Sequence, residues 1–292
     1  MLASGRFATV VLMAAAAVPL YGQVAPVVPR RNLESAHDMV RDVIYNELHD
    51  RERDSHWEYR SECLSPAENL VREQVETDRG PVFRLLAQDG SPLDDAQRER
   101  EDARLARYIQ SPAEIARVEH AHAEDEARLA GVMELLPEAF LFQYEGASEG
   151  DVVRIAFRPD PAFRPSGYEA RIVHALAGTL TVDARQKRMI EMHGVLAERV
   201  DFGYGLLGHV EKGGTFEIHR LQVNAEHWKT DLVEVHVEGK ILMLKTVSKD
   251  QREARWGFRP VPRGTTPAEA REMLDQEVDR GIQARLVPAA RK

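Results

Sequence analysis

The segment Leu232-Val233-Glu234-Val235-His236-Val237-Glu238 decides the fold class of this chain. Its three valines alternate with charged or polar side chains, and successive residues of a β-strand point to opposite faces. One face of the strand is therefore apolar and the other is wet, as in an antiparallel sheet that covers a core on one side. Apolar residues of the next strand, either Ile241 and Met243 or Leu242 and Leu244, must share the apolar face.

The same two-residue period recurs along most of the chain. It includes Phe140, Phe142 and Tyr144, then Val153, Ile155 and Phe157. Strands are predicted at 57–64, 70–77, 82–87, 169–176, 179–182, 188–193, 196–202, 215–223, 232–237, 241–247 and 254–258. Turns rich in Gly and Asp are predicted at 78–80, 89–90, 183–185, 212–214 and 238–240, and residues 65–68 are read as a loop between strands. The pattern predicts an α+β fold on a curved, half-barrel-like antiparallel sheet.

Apolar spacings of three and four residues predict helices in three further regions. These are an N-terminal helix over 32–53, a highly charged helical insertion over 93–136 and a C-terminal helix that begins after Thr266. Inside the insertion, Ser111 and Pro112 mark a helix start, and Pro137 is expected to end that helix. An apolar stripe from Ile115 to Leu136 predicts packing on the sheet.

Composition bounds the class of protein. The chain has 292 residues, a net charge of −9, 43% hydrophobic and 30% charged residues. These values exclude a wholly disordered chain and a multi-span membrane protein. The acidic balance gives no general attraction to nucleic acid. Because Cys63 is the sole cysteine, an intramolecular disulfide is impossible, and we expect a buried, unreactive thiol.

The N terminus predicts export. Arg6 precedes an uncharged run over 7–18, which is typical of a secretory signal peptide and short for a membrane span. We expect cleavage near Gly22, with an uncleaved N-terminal anchor as the alternative. The predicted parts are a signal peptide (1–22), an extended Pro-containing tether (23–31), a β-rich domain (32–262) and a C-terminal helix and tail (263–292). Cys63 is too far from the signal peptide to be lipidated, so a periplasmic or secreted chain without a remaining membrane span is expected.

The glycine-rich string over 201–210, DFGYGLLGHV, matches the consensus sequences of nucleotide-binding motifs but lacks the sequence context that these motifs need. A dinucleotide site needs a helix after the turn, and a kinase needs a preceding H-R-D loop. Residues 211–214 lead into another strand instead, and the chain holds no H-R-D. We therefore expect Gly203, Gly205 and Gly208 to serve backbone geometry.

The chain has eleven histidines, which raises the question of whether some of them bind a metal ion. His120 and His122 are two apart on a helix and point to different faces, and no H-E-x-x-H pattern is present. His193, His219 and His236 fall on predicted strands, and the sequence does not show whether their side chains come together in the fold. No catalytic residue, metal ligand or cofactor is assigned, and the absence of a G-x-S-x-G elbow removes the simplest hydrolase.

Large side chains on the strands either fill an ordinary core or line a concave apolar cavity. If a cavity exists, its lining is predicted to include Phe142, Phe157, Val233, Val235, Val237 and Met243. The helix over 111–136, or the first helix, is expected to cover that face.

The order of elements resembles the LolA/LppX-type half-barrel of periplasmic lipid and lipoprotein carriers. The features concerned are a signal peptide, an early amphipathic helix, a meander of about ten strands and inserted helices. Segments 89–93, 157–161, 200–208 and 213–216 also resemble uncharacterised secreted proteins of acidobacterial type. The first resemblance implies a concave, apolar, helix-covered face that accepts acyl chains.

The resulting prediction is an exported protein that binds an apolar ligand or a lipidated client without catalysis. The alternatives are a cell-envelope protein–protein interaction module with a filled core, and an enzyme of unknown chemistry. A cavity of hundreds of Å³ favours the carrier, a filled sheet favours the interaction module, and clustered His and carboxylates in a cleft favour an enzyme.

Overall fold

The computed structural model describes residues 34–53, 56–202, 208–241 and 245–279, which belong to one compact unit. These residues form five helices and thirteen strands, which confirms the predicted α+β class. The helices are α1 (Ala36–Arg53), α2 (Asp95–Gln110), α3 (Pro112–Ala139), α4 (Tyr168–His174) and α5 (Pro267–Asp279). The strands are β1 (His56–Leu64), β2 (Asn69–Val75), β3 (Val82–Gln88), β4 (Ser91–Pro92), β5 (Phe140–Glu149), β6 (Val152–Pro159), β7 (Leu176–Asp183), β8 (Arg188–Leu196), β9 (Val200–Phe202), β10 (Gly208–Val210), β11 (Thr215–Gln222), β12 (Trp228–Ile241) and β13 (Lys245–Val261).

The strands form a single curved sheet that stays open. Its order is β4-β3-β2-β1-β13-β12-β11-β8-β7-β6-β5, and β9 and β10 extend it beside the last residues of β12. Every strand pair in the described part of the chain is antiparallel. The edge strands β4 and β5 do not pair with each other, so the sheet does not close into a barrel.

The helices divide the apolar side of the sheet into two regions. Helices α2 and α5 pack on β3, where Val75, Val82, Leu105 and Leu274 form a filled core with almost no solvent exposure. Helix α1 contacts β5, β8 and α3, while α3 also contacts α4. The second region is therefore covered by α1 and α3, although Ile115, near the start of α3, still belongs to the filled core.

The predicted helix starts are confirmed by their hydrogen bonds. The Ser111 hydroxyl accepts a bond from the backbone N–H of Glu114 at 3.3 Å, which begins α3 and separates it from α2. At α5, the Thr266 side chain accepts from the Glu269 N–H, and the Glu269 carboxylate accepts from Thr266. Such reciprocal bonds satisfy N–H groups that the first helical turn leaves without partners.

Two local predictions about helices are wrong. The predicted strand over 169–176 is mostly helix α4, because Ala170 and Val173 share one inward face while Glu169 and Arg171 are exposed. This spacing of three residues belongs to a helix, although Ile172 and Val173 are β-branched. Helix α3 also continues past Pro137, which is buried, and ends at Ala139.

The turn predicted at 238–240 is also wrong, since β12 runs through it to Ile241. A Cβ atom at Gly239 would lie 2.5 Å from the His209 carbonyl oxygen, so this glycine permits the close approach of β10. Of the strand predicted at 241–247, Ile241 ends β12, residues 242–244 lie outside the described residues, and residues 245–247 belong to β13, which also contains the strand predicted at 254–258. A β-bulge at Gly257, where φ is +72°, interrupts its register with β1.

Gly178 is expected to be required for the pairing of β7 with β8. Gly178 lies opposite Gly194, and an added Cβ would lie 2.7 Å from the Gly194 Cα and closer still to the His193 carbonyl oxygen. Because these are backbone atoms, Gly178→Ala must separate the strands, and we expect a loss of at least about 2 kcal/mol of unfolding free energy in urea. Gly131→Ala is the control, since its site on α3 is open and alanine favours helix. Equal stability of the Gly178→Ala variant and the parent chain would contradict this expectation.

Candidate functional site

The concave face of the sheet lines a partly open cavity of about 860 Å³ beneath α1, α3 and α4. Its volume falls within the ~300–1,000 Å³ range that is usual for ligand pockets. The aliphatic and aromatic residues that line it are Val40, Val43, Ile44, Leu129, Val132, Met133, Leu136, Phe140, Phe142, Phe157, Val173, Leu176, Leu180, Met189, Met192, Phe216, Ile218, Trp228 and Val233. The polar lining includes Glu47, His56, Glu76, Thr77, Asp78, His122, Glu126, Arg220, Lys229, Thr230 and Arg255.

One part of the cavity is almost wholly apolar. Phe140 and Phe157 are buried and meet edge to face, with ring centroids 5.1 Å apart. Leu136, Met192 and Phe216 pack against this pair. An edge-to-face contact of this kind fixes the orientation of both rings. These side chains from α3, β5, β6, β8 and β11 give the cavity an apolar surface of defined shape.

Two aromatic residues of the sheet each lie opposite a glycine. Gly178 lies opposite Phe157 on β6, and Gly194 lies opposite Phe216 on β11. A Cβ at Gly194 would overlap the ring of Phe216. Because a larger residue at Gly194 would displace this ring, Gly194 helps to set the depth of the cavity.

Helix α1 covers the cavity and is tied to the β7–β8 turn. Its inward residues Val40 and Val43 are at most 1% exposed. Lys187 binds the carboxylates of Glu34, at 2.8 Å, and of Asp42. The hydrogen bond from Lys187 lowers the pKa of Asp42, and the same bond raises the pKa of Lys187. These partly exposed contacts fix the start of α1, and their contribution to stability is modest because solvent screens them.

A buried ion pair joins α1 to the floor of the cavity. The Arg220 guanidinium on β11 contacts the Glu47 carboxylate, and the two side chains are 13% and 3% exposed. Arg220 also donates to the Trp228 carbonyl oxygen at 2.8 Å, and Glu47 accepts from the Met189 N–H at 3.3 Å. Burial lowers the pKa of Arg220 to about 10, so the group is still cationic at neutral pH. The pair is thus a charged cross-link between α1 and β11 within the cavity wall.

Most of the remaining polar lining comes from β1, the β2–β3 turn and the middle of α3, while Lys229 and Thr230 of β12 and Arg255 of β13 add to it. His56 Nε2 lies 2.6 Å from Asp78 Oδ1, and His122 Nε2 lies 3.6 Å from Glu126 Oε1. Glu76 accepts a hydrogen bond from the backbone N–H of Trp57 at 3.0 Å. Along α3 the lining changes from His122 and Glu126 to the apolar side chains that follow from residue 129. The cavity is therefore amphipathic, with a polar part and an apolar part.

The structure places the six predicted lining residues in three different situations. Phe142, Phe157 and Val233 line the cavity. Val235 and Val237 lie further along β12, on the same face as Val233, but do not line it. Met243 lies outside the described residues, as do Gly203 and Gly205 of the glycine string. That Phe142, Phe157 and Val233 contact a ligand stays a prediction.

A bulge in β12 explains which of its side chains face the cavity. His219 pairs with Leu232 and Arg220 pairs with Thr230, so Asp231 has no partner in the β11 register. The extra residue shifts the side-chain alternation, and the lining changes from Trp228 and Thr230 to Val233. An unbroken alternation across 228–237 would have placed these residues on opposite faces.

Sequence reasoning missed the ion pair and the contribution of β8 and β11. Phe216, Ile218 and Arg220 alternate on β11, and this alternation is visible in the sequence. The arginine at the third position breaks the apolar series, which conceals its inward orientation. Glu47 falls on the inner face of α1 by its spacing from Val40 and Val43, but only the fold brings it to Arg220.

Grouped metal ligands are found elsewhere in the molecule. Among the described residues, the group of three His, Cys, Asp or Glu side chains close enough to bind one ion is Glu191, Glu217 and His219. None of these three lines the cavity.

Comparisons of the chain with protein-family models, with curated proteins and with solved structures gave no match. In the part of the chain that the structure describes, no helix has both the length and the apolar character needed to cross a bilayer.

Proposed function

We propose that this protein is an exported carrier that binds an apolar ligand, or the acyl chains of a lipidated client, in the concave cavity without catalysis. The observation that carries the proposal is the cavity of about 860 Å³ between the sheet and its covering helices. Most of its lining is aliphatic or aromatic, so burial of a hydrocarbon chain there is favourable.

The chemistry of the lining favours an amphiphile over a wholly apolar molecule. Aliphatic and aromatic side chains around Leu136 and Phe157 suit an acyl chain, while His56, Asp78 and Glu126 offer hydrogen-bonding groups to a polar end. Each buried methylene contributes ~0.8 kcal/mol before ordering costs, so a long chain reaches micromolar affinity.

The two regions of the sheet support the carrier over the interaction module. Under α2 and α5 the sheet is covered by a filled core, with Leu105 and Leu274 fully buried. Under α1 and α3 the same sheet leaves a cavity. A filled core would be expected in both regions if the helices served only to complete the fold.

The carrier proposal agrees with the resemblance to LolA/LppX-type half-barrels and with the export signal that the sequence predicts at the N terminus. We infer that the chain acts in the periplasm or outside the cell, where it meets lipids or lipoproteins of the envelope. A soluble chain that begins near Gln23 in a periplasmic extract supports this location, whereas an intact Met1 terminus in the membrane fraction rejects it.

Direct binding tests the proposed function. The folded chain is titrated with a fluorescent fatty acid up to tens of micromolar, and saturable binding of one or a few molecules is expected. A circular-dichroism melt on the same sample shows that the protein is folded. If the folded protein gives no binding in this range, the carrier proposal fails and the interaction module replaces it.

A further inference from the structure

The convex face of the sheet, opposite the cavity, carries a cluster of two carboxylates and a histidine. Met192 of β8 and Ile218 of β11 face the cavity, so their sequence neighbours point to the opposite side. These neighbours are Glu191 on β8 and Glu217 and His219 on β11. The cluster is therefore separate from the cavity described above.

The strand register places the three side chains together. His219 lies directly opposite Glu191 in the β8–β11 pairing, and Glu217 is two residues before His219 on the same face. His219 Nε2 lies 2.6 Å from Glu217 Oε1 and 3.9 Å from Glu191 Oε1. Potential ligand atoms of all three residues lie within 4.8 Å of one another. Moderate side-chain rotation is enough to bring such atoms around one ion at ~2.0–2.2 Å.

The charge of the cluster favours a cation. Among the described residues, neither Glu191 nor Glu217 forms an ion pair with a lysine or an arginine; the ion-pair partner of both is His219. On the same face, β12 places Glu234 opposite Glu217, although the Glu234 carboxylate has Arg252 Nε at 3.9 Å, and β7 places Thr181 opposite Glu191. Two nearby carboxylates repel each other unless a positive charge lies between them.

A fourth potential ligand lies at the adjacent register position. His193 is opposite Glu217 in the β8–β11 pairing and shares the face of Glu191. Two adjacent strands therefore carry two histidines and two glutamates at four neighbouring positions. Paired strands hold such positions at ~4.5–5.5 Å between Cβ atoms, which is a rigid base for metal coordination.

We propose that Glu191, Glu217 and His219 form a binding site for a divalent transition-metal ion on the convex face, with His193 available as a fourth ligand. One imidazole nitrogen and two carboxylate oxygens are a donor set suited to Zn²⁺, since purely oxygen sites select Ca²⁺ or Mg²⁺. A bound ion would cross-link β8 to β11, the strands whose opposite faces supply Met192 and Ile218 to the cavity.

Zinc binding by the tag-free, metal-stripped chain tests the proposal. We expect isothermal titration with Zn²⁺ to show one site per chain that is tighter than any background binding. His219→Ala and Glu191→Gln should each weaken this site by at least tenfold, because each removes one of three ligands. Binding of Co²⁺ should give visible absorption bands that the His219→Ala variant lacks.

His236→Ala is the matched control. His236 also lies on the sheet beside a carboxylate, with its Nδ1 3.9 Å from Asp250 Oδ2, but it belongs to no group of three ligands among the described residues. It should change the affinity of the site by less than twofold. Zinc binding that is unaffected by His219→Ala and Glu191→Gln, or no stoichiometric binding by the parent chain, would reject the site. Far-UV circular dichroism of each variant separates loss of a ligand from loss of the fold.

Discussion

Val132→Trp is expected to weaken acyl-chain binding by at least tenfold while the protein stays folded. Val132 lines the cavity from α3 and is partly buried. The larger indole would occupy space that the proposed ligand needs, and its attachment to a helix leaves the strand pairing unchanged. Each methylene that the ligand can no longer bury costs ~0.8 kcal/mol, so the loss of two is close to tenfold in affinity. A fluorescent fatty acid titration measures the effect.

The control for this prediction adds the same side chain on the outer face of α3. Glu134 is exposed and does not line the cavity, so Glu134→Trp should leave affinity within about twofold of the parent chain. Thermal melts of both variants are compared with the parent. Equal affinities of the Val132→Trp and Glu134→Trp variants would show that the ligand binds outside this cavity.

Glu47→Gln is expected to lower the free energy of unfolding by about 3 kcal/mol. The substitution keeps the shape of the side chain but removes the charge that balances the buried guanidinium of Arg220. An uncompensated buried charge costs ~3–5 kcal/mol of unfolding free energy. Because glutamine can keep some of the hydrogen bonds of Glu47, we expect a loss at the lower end of this range. Urea unfolding at neutral pH, where Arg220 is cationic, gives the value.

A second ion pair and a double variant make this expectation specific. Glu119→Gln alters the exposed pair with Arg79, whose side chains are 44% and 45% exposed, and should cost less than ~1 kcal/mol. Combining Glu47→Gln with Arg220→Met removes both charges, so the double variant should lose less stability than the sum of the single losses. Additive losses would show that the two groups do not act as a pair.

The sheet could be predicted because its signal is local. Alternation at 140–144, 153–157 and 232–237 places strands correctly, and the Ser111 and Thr266 caps place two helix starts. A glycine in the sequence can indicate either a turn or a close approach of two strands. Gly239 was predicted to lie in a turn but instead permits the close approach of β10 to β12. Short segments such as α4 are ambiguous because β-branched residues favour strands while their spacing fits a helix.

The cavity was harder to predict from the sequence because its lining residues are brought together from distant parts of the chain. Phe142, Phe157 and Val233 could be chosen from alternation, but the bulge at Asp231 decides how much of β12 faces the cavity. The pairing of Glu47 with Arg220 joins residues that are far apart in the chain. The metal-ligand cluster likewise depends on the β8–β11 register, which places His219 opposite Glu191.

Native mass spectrometry of the protein purified from its own cells tests the central claim most directly. The carrier account predicts a chain mass accompanied by a discrete adduct that organic extraction releases and that fragments as a lipid or acylated molecule. The adduct should be depleted in the Val132→Trp variant and retained in Glu134→Trp. A folded protein that carries no such adduct from its own cells, and that does not acquire one from a lipid extract of those cells, would contradict the account.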